Sequence, residues 1–513
     1  MSSWSDGYVS DVEYLPGFYV EQTPNHIQLA CLLNGFQPPL SSPSFSYCEL
    51  GCGQGTTASI IAGAYPHATV VAVDFNPAQI ARAQREARAS GLNNIEFIEA
   101  SFEEFSERND FGPFDIVSLH GVWSWISEEN RVFIVNFLKR MVKPGGAVAI
   151  SYNSMPGWTS ILPFQKMILE RARLSSKRSD GKVVEALDFI EVLQKAGCSV
   201  VGNTEFFSRF RPSNKTRSET DHATYLAHEY LNENWRPMYF TDTSRLLEAA
   251  KLDFVASASL LDNFSDLMLT PDQKIICDSF PQPEFRELIK DFCVNRPFRR
   301  DIYIKGAQKI SDLSRNKLLE DISLALIVPD SALKFKLNTP AGEATLPREI
   351  YEPVYGYLSS GPKAISFLLD KVRKSGNVNA TEIAGLLVGS GQAASIHWEH
   401  AGATDANNLF NQMKIAKVLQ KEEPMATLAV PKIGSGLNVN AIEAVIFNLL
   451  TAGTNLADLR SATLAILVES EGPLNIDGEI TTDKDKIKAA LEDAYDWFLK
   501  NTFQIWKNIG LID

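Results

Sequence analysis

The stretch Cys48–Gly55, with the sequence CELGCGQG, decides the fold. Its glycines are spaced G-x-G-x-G, so the backbone at this point can approach a nucleotide closely. Folds that bind nicotinamide or flavin dinucleotides use similar glycines to seat a pyrophosphate at a helix N-terminus. In this chain, however, a carboxylate, Glu49, stands two residues before the first glycine. The charge on the ligand that faces Glu49 therefore identifies the class of nucleotide.

Strand-like and helix-like segments alternate on either side of this loop. A helix is predicted from Thr56 to Ala64, and two later helices are predicted to be capped by Asn76 and Ser127. Such alternation predicts an α/β fold, a doubly wound and mostly parallel sheet with helices on both faces. The ligand is then expected at the carboxyl ends of the strands. The predicted strands are 45–50, 69–74, 95–99, 114–119 and 147–152.

A second acid, Asp74, ends the second predicted strand. A carboxylate before the glycine loop would repel a pyrophosphate, whereas it would attract a ligand with a cationic centre and no phosphate. S-adenosylmethionine fits, because it offers a sulfonium and an amino group to Glu49 and ribose hydroxyl groups to Asp74. Dinucleotide binding is the alternative that these residues leave open. The predicted contacts with the cofactor are Glu49, Gly51, Gly53, Gly55, Asp74 and Phe75.

The bulk composition disfavours several other classes of protein. The net charge is −13, from 49 basic and 62 acidic residues, so a nucleic-acid partner is not expected. No apolar run reaches the roughly 18 residues of a membrane span, and the N-terminus does not have the pattern of a secretory signal. Six cysteines without a C-x-x-C pair predict reduced thiols in a cytoplasm. No metal is expected, because the pair His397 and His400 has no further ligands nearby.

Beyond the glycine loop, further stretches resemble one known family. Residues 47–158 resemble a class I S-adenosylmethionine-dependent methyltransferase, and the whole chain resembles bacterial methyltransferases that carry a methyltransferase regulatory domain. That group includes protein-lysine methyltransferases that act on outer-membrane proteins. The resemblance implies a lid over the cofactor ahead of the first strand, with Tyr19 in it. The matching stretches are YLPGFYVEQTPNH (14–26), CELGCGQG (48–55), LHGVWSWIS (119–127), YNSMPGW (152–158), HEYLNENWRPMYF (228–240) and RPFRRDIYIKG (296–306).

The sequence departs from the class I pattern after the third predicted strand. Many class I enzymes have an aspartate there, near the amino group of adenine, and this chain has Glu99-Ala100-Ser101-Phe102. We expect Ser101 and the backbone around Phe102 to replace that contact.

The segment after the fourth predicted strand bears on the methyl acceptor. Enzymes that methylate amide or adenine nitrogens tend to carry Asn/Asp-Pro-Pro-Tyr/Phe there, and this chain has HGVWSW at 120–125 instead. His120 could face the cofactor or act as a base near neutral pH. A packed histidine at a strand end is an equally good interpretation.

Aromatic residues are predicted to cluster at the same strand ends. Aromatic faces attract cations, and an apolar sleeve favours the neutral form of a lysine. Core packing is the alternative interpretation for each of these side chains. Asn153 is predicted to position the amine, and Glu229 is predicted to steer a cationic acceptor unless it is only a surface carboxylate. The aromatic residues are Trp123, Trp125, Tyr152 and Trp158.

The chain is predicted to divide into a cofactor-binding domain, a helical insertion that could pair two subunits, a regulatory segment, and a C-terminal region for a substrate or partner. The regulatory segment is predicted to complete the sheet with strands at 254–260 and 300–305, and an independent domain at 216–306 is the alternative. The C-terminal region is predicted to be mostly α-helical, and the resemblance implies winged-helix-like modules in it. In chain order the four parts are 1–165, 166–235, 236–306 and 307–513.

Three hypotheses about function follow from these patterns. The leading one is an enzyme that transfers a methyl group from S-adenosylmethionine to an amine, most simply a lysine side chain of a protein or peptide. The second is a small-molecule N- or O-methyltransferase of a biosynthetic pathway with the same cofactor site. The third is a non-catalytic protein that keeps the fold, and the intact acids Glu49 and Asp74 argue against it.

Overall fold

A seven-stranded sheet organises the first three fifths of the chain. The structure is a computed structural model that describes residues 7–9, 11–12, 17–199, 219–398, 404–470, 474–476 and 479–512. The strand order is β3-β2-β1-β4-β5-β7-β6. Strand β7 is antiparallel to β5 and β6, and the other neighbours are parallel, so the predicted mostly parallel α/β sheet is confirmed. The strands are β1 Ser46–Leu50, β2 Thr69–Asp74, β3 Ile95–Glu99, β4 Phe114–Leu119, β5 Val142–Asn153, β6 Leu252–Ser257 and β7 Phe298–Lys305.

Helices flank the sheet, and the three whose starts the sequence predicts begin there, at Thr56, Pro77 and Glu128. Asn76 accepts hydrogen bonds from the backbone amides of Ala78 and Gln79, and Ser127 accepts one from Asn130. Both predicted caps are therefore confirmed, and each satisfies amides that have no partner inside the helix. The helices are α1 Pro24–Leu33, α2 Thr56–Ala64, α3 Pro77–Ala89, α4 Phe102–Glu107 and α5 Glu128–Met141.

Strand β5 is longer than its apolar pattern predicts. The sequence predicts a strand at 147–152, whereas the strand already begins at Val142, ahead of Pro144-Gly145-Gly146. Phe114 of β4 pairs with Val142, and Ile116 pairs with Ala147, so a register shift absorbs the Pro-Gly-Gly segment. A bulge of this kind keeps both flanks of the segment in one ladder.

Two strands from the regulatory segment lie at the β5 edge of the sheet. β7 pairs with β5 from Ala147 through Asn153, and β6 pairs with β7. β6 ends earlier than predicted, because the side chain of Asn263 forms hydrogen bonds with the backbone of Ser257. Its Oδ1 accepts from the amide, and its Nδ2 donates to the carbonyl. The helices that precede each of these strands are α6 Leu162–Arg173, α7 Ser179–Lys195, α8 Glu219–Tyr230 and α9 Phe240–Glu248, and then α10 Ser265–Met268, α11 Pro271–Asp278 and α12 Pro283–Cys293.

The C-terminal region is mainly helical, as predicted, with short antiparallel sheets between its helices. β8 lies between β11 and β12, β9 pairs with β10, β13 with β14, and β15 with β16. The elements are α13 Asp312–Glu320, β8 Ser323–Leu326, β9 Lys336–Thr339, β10 Gly342–Thr345, α14 Arg348–Ser359, β11 Lys363–Ala364, α15 Ile365–Val372, α16 Ala380–Gly389, β12 Ala393–Ile396, α17 Asp405–Leu419, β13 Ala426–Val430, β14 Ser435–Val439, α18 Ala441–Thr451, α19 Leu456–Ser470, β15 Leu474–Ile476, β16 Glu479–Thr481, α20 Lys484–Asn501 and α21 Phe503–Asn508.

This C-terminal region packs directly on the helices that flank β1 and β2. Asn25 of α1 donates from Nδ2 to the carbonyls of Ser395 and Ile433, both at 3.0 Å. Asn407 of α17 donates to the carbonyl of Gly63 in α2 at 3.2 Å. These buried polar contacts and a shared apolar core fix the region against the back of the sheet.

An ion cluster strengthens the same contact. Glu86 of α3 lies 3.2 Å from the ammonium of Lys414 and also pairs with Lys417, both on α17. Burial opposes the ionisation of Glu86, but the two ammonium groups outweigh it and hold the pKa of Glu86 at about 2. The charged form of Glu86 therefore stabilises the folded chain.

Among the described residues, no helix is both long and apolar enough to cross a membrane. The same residues contain no group of three or more histidine, cysteine, aspartate or glutamate side chains that could hold a metal ion. His400 lies outside the described residues.

We predict that Glu86→Gln destabilises the protein at pH 7, by at most about 3 kcal/mol, the value obtained when the whole pKa shift is converted. The folded pKa lies below the unfolded value, so this contribution is complete above about pH 5 and is lost as the pH falls toward 2. Urea unfolding of wild type and variant at pH 7, 5 and 3.5 should show a gap that narrows with acidification. Glu248→Gln, at an exposed position on α9, is the control. A gap that does not change with pH would contradict the assignment.

Candidate active site

A cavity of about 530 Å³ opens at the carboxyl edge of the sheet, where the sequence predicts the ligand. Its wall is formed by the ends of β1, β2, β4 and β5 and by the loops that follow them. The N-terminal segment, helix α8 and the start of β7 complete the wall. The predicted residues that line it are Tyr19, Glu49, Gly51, Gly53, Asp74, Phe75, Ser101, Phe102, His120, Trp125, Asn153, Trp158 and Glu229.

The glycines of the loop have positive φ angles, 71° at Gly51, 55° at Gly53 and 71° at Gly55. A Cβ on Gly51 would lie 2.3 Å from a methyl group of Val122, and one on Gly55 would lie 2.2 Å from the ring of Phe97. Only glycine fits both the conformation and the space. Gly51 and Gly53 line the cavity. Gly55, which was predicted to contact the cofactor, does not line it and is the N-cap residue of α2.

Glu49 is the next-to-last residue of β1 and is buried, with 5% of its surface exposed. One oxygen, Oε2, has no hydrogen-bond partner among the residues that the structure describes. Burial raises the pKa of Glu49 to about 8, and the nearby charge of Asp74 adds to the effect. A buried acceptor without a partner costs free energy, so this carboxylate fits a ligand that brings a cationic donor, such as the amino group of S-adenosylmethionine.

Asp74 holds the glycine loop while facing the same cavity. Its Oδ2 accepts the amide of Gly53 at 2.9 Å, and its Oδ1 accepts the amide of Asn76 at 2.9 Å. Burial raises the pKa of Asp74, and these amides oppose the rise. A carboxylate accepts about four hydrogen bonds, so acceptor positions remain for a ribose diol.

The hydrogen bonds at the start of α4 show which of the two predicted groups, Ser101 or the backbone at Phe102, is available to contact adenine in place of the missing aspartate. The hydroxyl group of Ser101 donates to Glu104 at 2.9 Å and accepts the Glu104 amide at 3.1 Å. The amide of Ser101 also donates to Glu104. Because this capping box occupies Ser101, the backbone at Phe102 is the better candidate for adenine.

His120 is neutral in this environment. Its ring stacks on Tyr19 with centroids 3.6 Å apart, and its Nδ1 lies 3.1 Å from the hydroxyl group of Ser151. Burial, with help from the charge of Arg300, lowers the pKa of His120 to about 4. The low pKa makes His120 a weak proton acceptor near neutral pH, so its role as a base stays a prediction. The ring does line the cofactor cavity.

Trp123 and Tyr152 do not line the cavity, contrary to their predicted place in the acceptor site. Both side chains are fully buried, and they pack in an apolar core with other side chains from the strands and helices. Tyr152 donates to Asp301 of β7 at 2.7 Å. Side chains alternate along a strand, so Tyr152 faces away from the side on which Asn153 lines the cavity.

Trp158, Asn153 and Glu229 do line the cavity. Trp158 donates from its indole to the carbonyl of Pro297 at 2.6 Å, which fixes the ring. Asn153 is fixed by its backbone, since its amide donates to Ser124 at 2.8 Å. Its side-chain Nδ2 has no hydrogen-bond partner among the described residues.

Sequence reasoning missed several residues on the wall. Tyr8 meets the ring of Phe75 edge to face at 5.9 Å. Gln22 enters from the N-terminal segment and Arg300 from β7. No local motif marks these residues, but Gln22 and Arg300 lie in the stretches 14–26 and 296–306 that carry the family resemblance.

Comparison with known proteins agrees with this geometry. The profile of a family described as "Methyltransferase domain" matches residues 41–195, and that of "Predicted methyltransferase regulatory domain" matches residues 222–305. An uncharacterized protein of Synechocystis sp., sll1526, is 35% identical over 454 residues, which are 86% of this chain and 87% of that protein. RP789 of Rickettsia prowazekii is 26% identical over 63% of this chain and 57% of its own length.

A solved structure shares almost the whole fold. PKMT2 from Rickettsia typhi, in complex with AdoHcy, superposes with a TM-score of 0.70 at 20% identity and covers 96% of this chain and 99% of its own. The sheet, the glycine loop and these matches define a class I methyltransferase that depends on S-adenosylmethionine. The chain belongs to the family of these enzymes that carry a methyltransferase regulatory domain.

We predict that affinity for S-adenosylhomocysteine rises between pH 6 and pH 8, by at most tenfold per pH unit. The reason is that Glu49 must be ionised to accept the amino group, and its pKa is about 8. Titration calorimetry across this range, with release of up to one proton on binding at pH 7, is the measurement. Glu49→Gln should bind more weakly at pH 8 and lose the pH dependence. A wild-type affinity that stays constant over this range would contradict the role of Glu49.

Proposed function

We propose that the protein transfers a methyl group from S-adenosylmethionine to the side-chain amine of a lysine in another protein. The observation that carries this proposal is the composition of the cavity wall around Glu229. The carboxylate of Glu229 lines this wall together with the aromatic rings of Trp125, Trp158 and Tyr230. A carboxylate within an aromatic wall suits a cation on a long apolar stem.

The cofactor supplies an electrophilic methyl group bonded to a sulfonium. For this chain's part, Glu49 would hold the amino group, Asp74 the ribose, and the backbone at Phe102 the adenine. Gly51 and Gly53 would let the cofactor approach the loop. In methyl transfer the acceptor displaces the sulfur at the methyl carbon. The main contribution of the protein is to hold both reactants in the geometry that this displacement requires.

The acceptor amine must be neutral to react, although a free lysine has a pKa near 10.4. Aromatic walls disfavour the ammonium form by desolvation. Trp125 supports this environment, since its indole is fixed by a bond to the carbonyl of His228 at 3.1 Å. Glu229 would attract the incoming ammonium. The ammonium would release its proton to solvent as it enters the aromatic wall, and Asn153 would then orient the neutral amine.

A protein acceptor is supported by two further points. The family that the sequence resembles includes protein-lysine methyltransferases, and the fold neighbour PKMT2 superposes over 96% of this chain. The C-terminal region adds a broad surface beside the sheet, where a macromolecule could dock. Pairing of two chains through residues 166–235, the absence of a nucleic-acid partner, a cytoplasmic location and the four-part division of the chain stay predictions.

Incubation with radiolabelled S-adenosylmethionine and fractionated bacterial lysate tests the proposal. The expected result is label in protein, with mass spectrometry locating it on lysine. Label confined to small molecules would favour the alternative enzyme class, and no label in any fraction would favour a non-catalytic role.

We predict that Glu229→Gln raises KM for the labelled protein by about 10–100-fold, because a charge-assisted contact is lost. Affinity for S-adenosylhomocysteine should not change. Glu233→Gln is the matched control, since Glu233 lies in the loop after α8, is more than half exposed and pairs with Arg173. Equal KM values for wild type and Glu229→Gln would refute the proposed role.

A further inference from the structure

Gln22 presents a buried amide to the cavity. Its side chain is 3% exposed and lies on the cavity wall. Its Oε1 accepts the hydroxyl group of Ser118 at 2.6 Å, and that hydroxyl also bonds to Tyr47 at 2.7 Å. Its Nε2 has no hydrogen-bond partner among the residues that the structure describes. One end of the amide is therefore fixed, and the other end remains as a donor that needs an acceptor.

The sheet brings this donor close to Glu49. Ser118 of β4, which holds Gln22, is the register partner of Glu49 on β1. The cavity therefore has an unpaired acceptor, Glu49 Oε2 near the end of β1, and an unpaired donor, Gln22 Nε2, whose amide is tied to the neighbouring strand β4. An α-amino acid carries the complementary pair, an ammonium group and a carboxylate.

A positive charge lies on the same side of the cavity. Arg300 is the one lysine or arginine among the described residues that line the cavity. Its Nε lies 3.3 Å from Glu21, the residue next to Gln22, and its guanidinium lies over the ring of Phe298 at 4.9 Å. These contacts hold the guanidinium on the wall beside the Gln22 segment. A carboxylate ligand taken into a buried site needs such a charge nearby.

We propose that Gln22 donates from Nε2 to the carboxylate at the methionine end of the cofactor, and that Arg300 supplies the compensating charge. The inference rests on the role of Glu49 proposed above. It gives the regulatory segment, which contributes Arg300 through β7, a direct part in binding the cofactor. The segment then does more than complete the sheet.

A purely structural role for Gln22 predicts something different. In that case the amide only ties the N-terminal segment to Ser118, and its loss would weaken binding of every ligand that uses the cavity. A carboxylate contact affects only ligands that have the carboxylate. Two ligands therefore separate the roles: S-adenosylhomocysteine, and 5′-methylthioadenosine, which keeps adenine, ribose and thioether but lacks the amino-acid end.

Calorimetry with both ligands on the full-length protein is the test. We expect Gln22→Met to lower affinity for S-adenosylhomocysteine at least tenfold and to leave that for 5′-methylthioadenosine within twofold. Gln22→Glu, nearly the same shape, should lower the former further because it places a carboxylate against a carboxylate. Arg300→Met should follow Gln22→Met. Gln28→Met, which removes a buried amide bonded to Leu40 away from the cavity, should change neither.

Equal losses for both ligands, or no loss for S-adenosylhomocysteine, would overturn the inference. Circular dichroism and unfolding midpoints of each variant show whether the fold is kept, and Gln22→Glu provides the answer if Gln22→Met unfolds. The result is distinguishable from a failure of the Glu49 assignment. That failure would abolish the pH dependence of binding but leave the contrast between the two ligands.

Discussion

Two buried carboxylates at neighbouring strand ends are the constraint on which the site depends. Glu49 and Asp74 are 5% and 8% exposed, and burial raises the pKa of both. Their position is dictated by the sheet, because β1 and β2 are adjacent and parallel and end at one edge. Burying two like charges close together is costly unless something compensates. Asp74 is compensated partly by the amides of Gly53 and Asn76. Glu49 has a pKa of about 8, so it keeps its proton at pH 7 until a cationic group of the ligand favours the ionised form.

The strands at the far edge of the sheet bring the rest of the wall to these acids. β7 pairs with β5 up to Asn153, and a buried ion network fixes it there. Arg299 of β7 bonds to Asp301 at 2.8 Å, to Asp291 of α12 at 2.6 Å and to Glu287 at 2.9 Å. Side chains alternate on a strand, so while Arg299 is held in this network, its neighbour Arg300 faces the cavity. The segment that matches the regulatory family is thereby part of the site's architecture.

The sequence alone predicted the parts of the fold that depend on local patterns. These parts depend only on residues that are close together in the sequence. They are the helix caps at Asn76 and Ser127, the glycine loop and the acids near the strand ends. The start of β5 was misjudged, because a bulge lets Pro144 and its glycines stay inside a ladder that only the partner strand reveals. Tyr152 was misplaced, although its alternation with Asn153 already implied opposite faces.

Contacts between distant segments were beyond reach from the sequence. Gln22 and Arg300 meet the cavity from segments nearly 280 residues apart in the chain. Trp123 and Trp125 lie two residues apart in a turn, which has no regular alternation of side chains. The sequence therefore does not indicate that Trp123 packs in the core and that Trp125 lines the cavity. The pKa of His120 depends on burial and on Arg300, so its neutral state also could not be read from the motif.

The most direct measurement is a crystal structure of the protein with S-adenosylhomocysteine bound. The account predicts the amino group within hydrogen-bond distance of Glu49 Oε2 and the ribose hydroxyl groups on Asp74. A ligand that sits in another cavity, or one in this cavity with its amino group turned away from Glu49, would contradict the account.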